Sequence, residues 1–306
     1  MADASAAMVH RSAPAEPVVR SRPGLRALQL RILSSLVLAP IVIGAVWFGW
    51  PFLPILTAVA AAIMAWEWGR LCQVGRSEAV IPSATRTGMV ALHPSGLVLA
   101  AATLIAVAAA VFVTTGVGIG LSLAGASVVF LLAVREPDAH PIWLASGALW
   151  IALPCVLLLW LAQRDASGRA TVLWILATVW ATDIGAYAFG SRIGGPRLAP
   201  RWSPRKTWAG LLGGMFCAAL VGWAAAWLLG GSAVLPLVML SAGLAIVGQF
   251  GDLAESVAKR RFGVKDSSDL IPGHGGLLDR LDGLLAVIPA VALLTVLRGG
   301  SVLAWP

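Results

Sequence analysis

Runs of roughly 20 apolar residues, each long enough to cross the hydrocarbon core of a bilayer, recur along almost the whole chain and are separated by short polar loops. In lipid a segment must satisfy its own backbone hydrogen bonds, so such runs can only be helices or strands of a closed barrel, and their length selects helices. With 59% hydrophobic and only 12% charged residues, the chain cannot assemble an ordinary water-facing surface. The expected fold is therefore all-α, a polytopic integral membrane bundle of about nine transmembrane helices. Hydropathy places them near 30–49, 51–69, 95–114, 116–134, 142–162, 171–190, 207–229, 234–254 and 278–297. The third and fourth are joined by little more than Thr115 and Gly116, which fits a hairpin or one long span with an interfacial piece.

The net charge of +8 is spread between the apolar runs and forms no continuous basic patch with interleaved aromatics, which argues against nucleic acid and for anionic lipid and phosphate. Basic residues near helix ends are retained on the cytoplasmic side. That rule predicts a cytosolic N-terminus. Arg26, Arg31, Arg70, Arg76, Arg86, Arg135, Arg192, Arg197, Arg201, Arg205, Lys206, Lys259, Arg260, Arg261, Lys265 and Arg280 then share the cytosolic side, and Arg164, Arg169 and Arg298 lie outside. Residues 1–24 read as a cytosolic tail without a signal-peptide apolar region, and 25–306 as one transmembrane domain. Cys72, Cys155 and Cys217 lack metal or disulfide spacing and read as small packing residues. Trp47, Trp50, Trp66, Trp68, Trp143, Trp160, Trp202 and Trp208 read as interfacial anchors, with Glu67 an interfacial residue between two of them. Gly116, Gly118 and Gly120 lack the Lys-Ser/Thr of a nucleotide loop and read as close helix packing.

Ionisable residues bordering spans are costly, and here they gather in the C-terminal half, at about 180–283: Asp183, Asp252, Glu255, Asp279 and Asp282. Asp279 and Asp282 stand three apart at the start of the last helix, and Asp252 and Glu255 repeat that spacing at the end of the eighth, so each pair shares a helix face. Together they suit a divalent cation, and carboxylate ligands point to magnesium, with room for a second cation. The intervening segment carries Ser256, Lys259, Arg260, Lys265, His274, Gly275, Gly276 and Arg280. Gly275 and Gly276, ahead of a helix N-terminus, are expected to let backbone amides approach a phosphate, with the cations neutralising further oxygens. A second phosphate-friendly stretch, Ser203-Pro204-Arg205-Lys206-Thr207, enters the seventh span with Ser203 expected as its cap. An oxygen-ligated metal beside cations suits phosphoryl or nucleotidyl transfer.

These stretches, from roughly Trp180 to Gly283, resemble the phosphatidate cytidylyltransferases, also called CDP-diacylglycerol synthases. That family's pattern S-x-x-K-R, K-D and H-G-G-x-x-D-R-x-D is carried by Ser256, Lys259, Arg260, Lys265, Asp266, His274, Gly275, Gly276, Asp279, Arg280 and Asp282. The resemblance implies that CTP and phosphatidate give CDP-diacylglycerol and pyrophosphate at the inner membrane of a bacterial cell, with the site facing the cytosol. It also leaves a homodimer open. It implies metal held by Asp252, Asp279 and Asp282, with Lys259 beside them as a catalytic residue. Substrate would meet Asp183, Ser203, Arg205, Lys206, Thr207, Ser256, Arg260, Lys265, His274, Gly275, Gly276 and Arg280. Ala209 departs from the family's usual Glu in the second stretch.

Two rival classes are weaker. An ion-coupled transporter would use acids distributed through the middle of the spans, whereas these gather towards one side. A CDP-alcohol phosphotransferase begins like Asp282-Gly283-Leu284-Leu285-Ala286, but Val287 stands where its arginine belongs and no second acid pair follows.

Overall fold

A computed structural model describes residues 25–74, 92–137, 139–230, 234–271 and 275–304. The expected tail, Arg76, Arg86 and His274 lie outside these residues. Among the described residues nine helices run α1 (Leu25–Phe48), α2 (Phe52–Val74), α3 (Pro94–Phe112), α4 (Thr115–Ala133), α5 (Pro141–Gln163), α6 (Gly168–Ile193), α7 (Trp208–Leu228), α8 (Val234–Arg261) and α9 (Leu278–Arg298). Eight are long and apolar enough to cross a membrane, and the described apolar part of α1 is Leu36–Phe48. Local chemistry marks several starts. Pro94 and Pro141 open α3 and α5, where a missing N–H costs nothing. The Thr114 hydroxyl accepts from the Val117 amide at 3.2 Å to cap α4, so the third and fourth spans form a hairpin.

Contacts at the two ends of the bundle show the helices alternating in direction. At one end Glu67 of α2 meets the start of α9, and Glu136 after α4 accepts from Ser95 of α3. There too Phe262 after α8 packs on Trp143 of α5. At the other end Arg169 of α6 donates to the Trp47 carbonyl of α1. The outer surface is apolar: Leu212, Phe216, Leu220, Trp223 and Trp227 form an exposed stripe on α7, which lipid solvates.

Glycines decide how closely the C-terminal helices approach. A Cβ at Gly213 would sit 2.4 Å from the Phe189 Cβ, and one at Gly185 would sit 2.5 Å from the Gly213 carbonyl oxygen, so α6 and α7 meet on a small-residue seam. Gly118 plays the same part between α3 and α4, 2.8 Å from the Ala110 Cβ, whereas Gly116 and Gly120 have no such close neighbours.

Three expectations change. Residues 197–207 form a two-stranded antiparallel hairpin, β1 (Arg197–Ala199) with β2 (Ser203–Thr207), so Ser203 is a strand residue and no helix cap. Thr207 caps α7 instead, its hydroxyl accepting from the Gly210 amide at 3.1 Å. Helix α8 continues two turns beyond the expected end, because Lys259 pairs with Glu255 one turn earlier and basic residues suit a helix C-terminus. Trp68 is buried, donating to the Trp143 carbonyl oxygen at 2.7 Å, and is no interfacial anchor.

Candidate active site

The extension of α8 puts Asp252, Glu255, Ser256 and Lys259 on successive turns of one helical face. Helix α9 reaches that face because position 251 lacks a side chain: a Cβ there would lie 2.5 Å from the Asp282 carbonyl oxygen and 2.8 Å from the Ala286 Cβ. Gly251→Ala is expected to push α9 off α8, costing about 1–3 kcal/mol and most of the activity. Melting in detergent checks it; an unchanged midpoint would mean that the two helices have slack.

Five carboxylates line the contact as a continuous seam. Asp183 on α6 interacts with Asp252, Asp252 with Asp282, and Asp282 with Glu255. Glu255 shares Lys259 with Asp279, the Nζ lying 3.2 Å from Glu255 Oε1 and hydrogen-bonded to Asp279 Oδ1. Lys206, projecting from β2, pairs with Asp252 at 2.6 Å, and Arg280 faces Asp183. Lys206, Lys259 and Arg280 thus interact with five acids, an imbalance of two negative charges if all are ionised. Glu255 is buried, and apart from Lys259 its one close polar neighbour among the described residues is the Asp282 carboxyl. Two buried carboxylates in contact can both carry charge only with a cation beside them, and otherwise share a proton.

The donor set suits a hard cation, being carboxylate and hydroxyl oxygen without thiol or imidazole. The expected trio of Asp252, Asp279 and Asp282 is not gathered as a cage: among the described residues no group of three or more acidic, histidine or cysteine side chains is assembled to hold an ion. Asp279 is the reason. Its Oδ2 accepts from the Ser267 amide at 2.9 Å, the Ser267 hydroxyl at 3.0 Å and the Gly276 amide at 2.9 Å, while Oδ1 takes Lys259. Asp252 and Asp282 have fewer partners: Asp252 takes Lys206 and the Ser256 hydroxyl at 3.3 Å, and Asp282 takes the Gly283 amide at 2.7 Å and lies against Glu255. Magnesium commonly takes one or two carboxylates and completes its shell with water and substrate phosphate, which this pair matches.

The glycine turn also differs from expectation. Gly275 has φ of 86°, a conformation that favours glycine, and its amide bonds to the Ile271 carbonyl. A Cβ at Gly276 would lie 1.9 Å from Ser267 Oγ and 2.6 Å from Glu67 Oε1. The amides of Gly276, Leu277 and Leu278 donate to Asp279 and Glu67. The anion at the α9 N-terminus is thus supplied by the protein, and these amides are not left for a phosphate.

Glu67 is the residue that sequence reasoning misplaced. It is fully buried and reaches residues more than two hundred positions away, so it is not interfacial. An acid inside the apolar run of α2 was itself the signal, since intramembrane carboxylates are retained for a partner or a function. Among the other candidates, Arg205, Arg260, Lys265 and Arg280 lie at the surface of the site end, and Ser203 and Thr207 belong to the hairpin that carries Lys206. Arg260 ties that hairpin to α8, donating from Nε to the Trp202 carbonyl at 3.5 Å.

Comparison with known proteins shows the family to which the chain belongs. The model for the cytidylyltransferase family matches residues 29–297. A phosphatidate cytidylyltransferase from Brucella suis biovar 1 is 36% identical over 297 residues, covering 91% of this chain and 95% of that protein. One from Pseudomonas aeruginosa is 34% identical over 280 residues, 87% and 96% of the two chains. One from Staphylococcus aureus is 42% identical over 135 residues, 44% of this chain and 52% of its own.

Proposed function

We propose that this chain, which belongs to the cytidylyltransferase family, joins CTP to phosphatidate to give CDP-diacylglycerol and pyrophosphate. A phosphatidate phosphate oxygen attacks the α-phosphorus of CTP, a new P–O bond forms, and the bond to the β-phosphate oxygen breaks as pyrophosphate leaves. The attacking oxygen is already anionic near neutral pH, so no strong general base is required. The observation that carries this reading is the seam of five acids set against Lys206, Lys259 and Arg280, bordered by surface cations at the same end of the bundle.

Asp252 and Asp282 would hold magnesium, with Asp183 and Glu255 adding negative potential around them. Bound there, the ion would neutralise phosphate charge. Asp279 serves the site by holding Lys259 and the Ser267–Gly276 turn in place. Lys206, beside Asp252, is placed to meet phosphate when substrate enters. Arg205, Arg260, Lys265 and Arg280 are the outer phosphate contacts, shared between nucleotide and lipid. Arg70, Arg135 and Arg192 fall at the same end of the bundle as these residues, which supports a cytosolic site in a bacterial inner membrane.

Purified protein in detergent, given phosphatidate, magnesium and each labelled nucleoside triphosphate in turn, is expected to form a liponucleotide with CTP or dCTP alone. Product with none of them would refute the reading. Ion flux into proteoliposomes without nucleotide consumption would point to a transporter instead.

A further inference from the structure

We propose that Glu67 is a positioning residue for the transfer reaction: from α2 it fixes the first turn of α9 and the Ser267–Ser268 segment, and so sets where the acidic seam stands. The inference rests on the reaction proposed above. It draws on four contacts. Glu67 Oε1 accepts from the Ser268 hydroxyl at 2.5 Å and the Leu277 amide at 2.9 Å, while Oε2 accepts from the Ser267 hydroxyl at 3.3 Å and the Leu278 amide at 2.7 Å. The side chain is fully buried, and the amides belong to the N-terminus of α9, whose partial positive charge favours a carboxylate.

The contacts form a relay into the seam. The Ser267 hydroxyl lies between Glu67 and Asp279 and its amide donates to Asp279, Asp279 binds Lys259, and Lys259 pairs with Glu255, which lies against Asp282. Among the described residues no other side chain of α2 joins this relay, so Glu67 is the hold of α2 on the C-terminal site, beside the packing of Phe262 on Trp143 of α5.

The donor geometry separates this role from simple capping. Each Glu67 oxygen faces one backbone N–H, and a backbone N–H cannot turn away as a hydroxyl can. In Glu67→Gln the side-chain NH2 must therefore oppose either Leu277 N or Leu278 N, whichever way the amide is flipped. Isosteric replacement should fail at this position.

The test compares wild type with Glu67→Gln and Glu67→Asp, the latter keeping the charge on a shorter stem. Glu136→Gln serves as control, because Glu136 likewise accepts from an amide and a hydroxyl, both of Ser95 on α3, outside the relay. The readouts are kcat and KM for CTP per folded molecule, and the rate of tryptic cleavage after Lys265. Glu67→Gln is expected to lower kcat by about 30-fold or more, with KM for CTP within about threefold and cleavage after Lys265 accelerated. Glu67→Asp should fold and lose kcat to a lesser degree, and Glu136→Gln should keep wild-type kcat. Adding Ser267→Ala should cost less in Glu67→Gln than in wild type, since one relay is already broken. Unchanged kcat per folded molecule in both Glu67 variants overturns the proposal. Wild type that makes no liponucleotide refutes the reaction and not the brace, which the cleavage rate reads independently; unchanged cleavage refutes the brace itself.

Discussion

Asp252→Asn is expected to lower liponucleotide formation at least about a thousandfold while the protein melts within a few degrees of wild type. The side chain is one-third exposed at the cleft, so little packing depends on it. Asparagine has the same shape and keeps one acceptor oxygen, for the Ser256 hydroxyl or for Lys206 but not for both. What it removes is charge. The seam would lose one of the five carboxylates set against Lys206, Lys259 and Arg280, and magnesium one of two proposed carboxylate ligands. Lys206→Met separates this from a weaker alternative in which Asp252 acts only by holding Lys206. On that alternative the two single variants would be equally impaired and the double variant no worse. On the reading advanced here Asp252→Asn is much the more damaging, and excess magnesium does not restore it. Wild-type turnover in Asp252→Asn would remove the metal assignment.

The spans were legible because lipid solvation imposes a long, coarse signal that survives errors of several residues. The end of α8 was not, because hydropathy reports which residues sit in hydrocarbon and is silent on a helix that continues into water. Lys259, Arg260 and Arg261 end the apolar window, yet the Glu255–Lys259 pair carries the helix onward. The hairpin at 197–207 was hidden for another reason: Ser203-Pro204 has a helix-start composition, and only pairing across to β1 reveals a strand. At the site, residue types were readable and occupancy was not. The α9 N-terminus does attract an anion, as its glycines suggested, but the anions are Glu67 and Asp279. Glu67 was misread from its tryptophan neighbours, since nothing local links position 67 to position 278. The donors that converge on Asp279 were equally out of reach, because spacing places a carboxylate on a face without showing what it accepts.

Lys259→Met is the variant expected to damage both folding and catalysis. The Lys259 side chain is 11% exposed and is held between Glu255, fully buried, and Asp279, 5% exposed. Removing the ammonium leaves both carboxylates without their cation, and breaking a buried ion pair from one side typically costs about 3–5 kcal/mol. Met fills a similar volume, so the loss would be electrostatic and no cavity would account for it. That origin has a signature: adding Glu255→Gln to Lys259→Met neutralises one stranded carboxylate and should recover part of the lost stability. Activity should not return with it. Asp279 would still lack the partner that fixes Oδ1, and the Ser267–Gly276 turn would hang from a carboxylate free to rotate. Melting and turnover measured on the two single variants and the double variant decide the matter: strictly additive stability losses would mean that Lys259 and Glu255 are not coupled, and that the Lys259 contact to the seam is incidental.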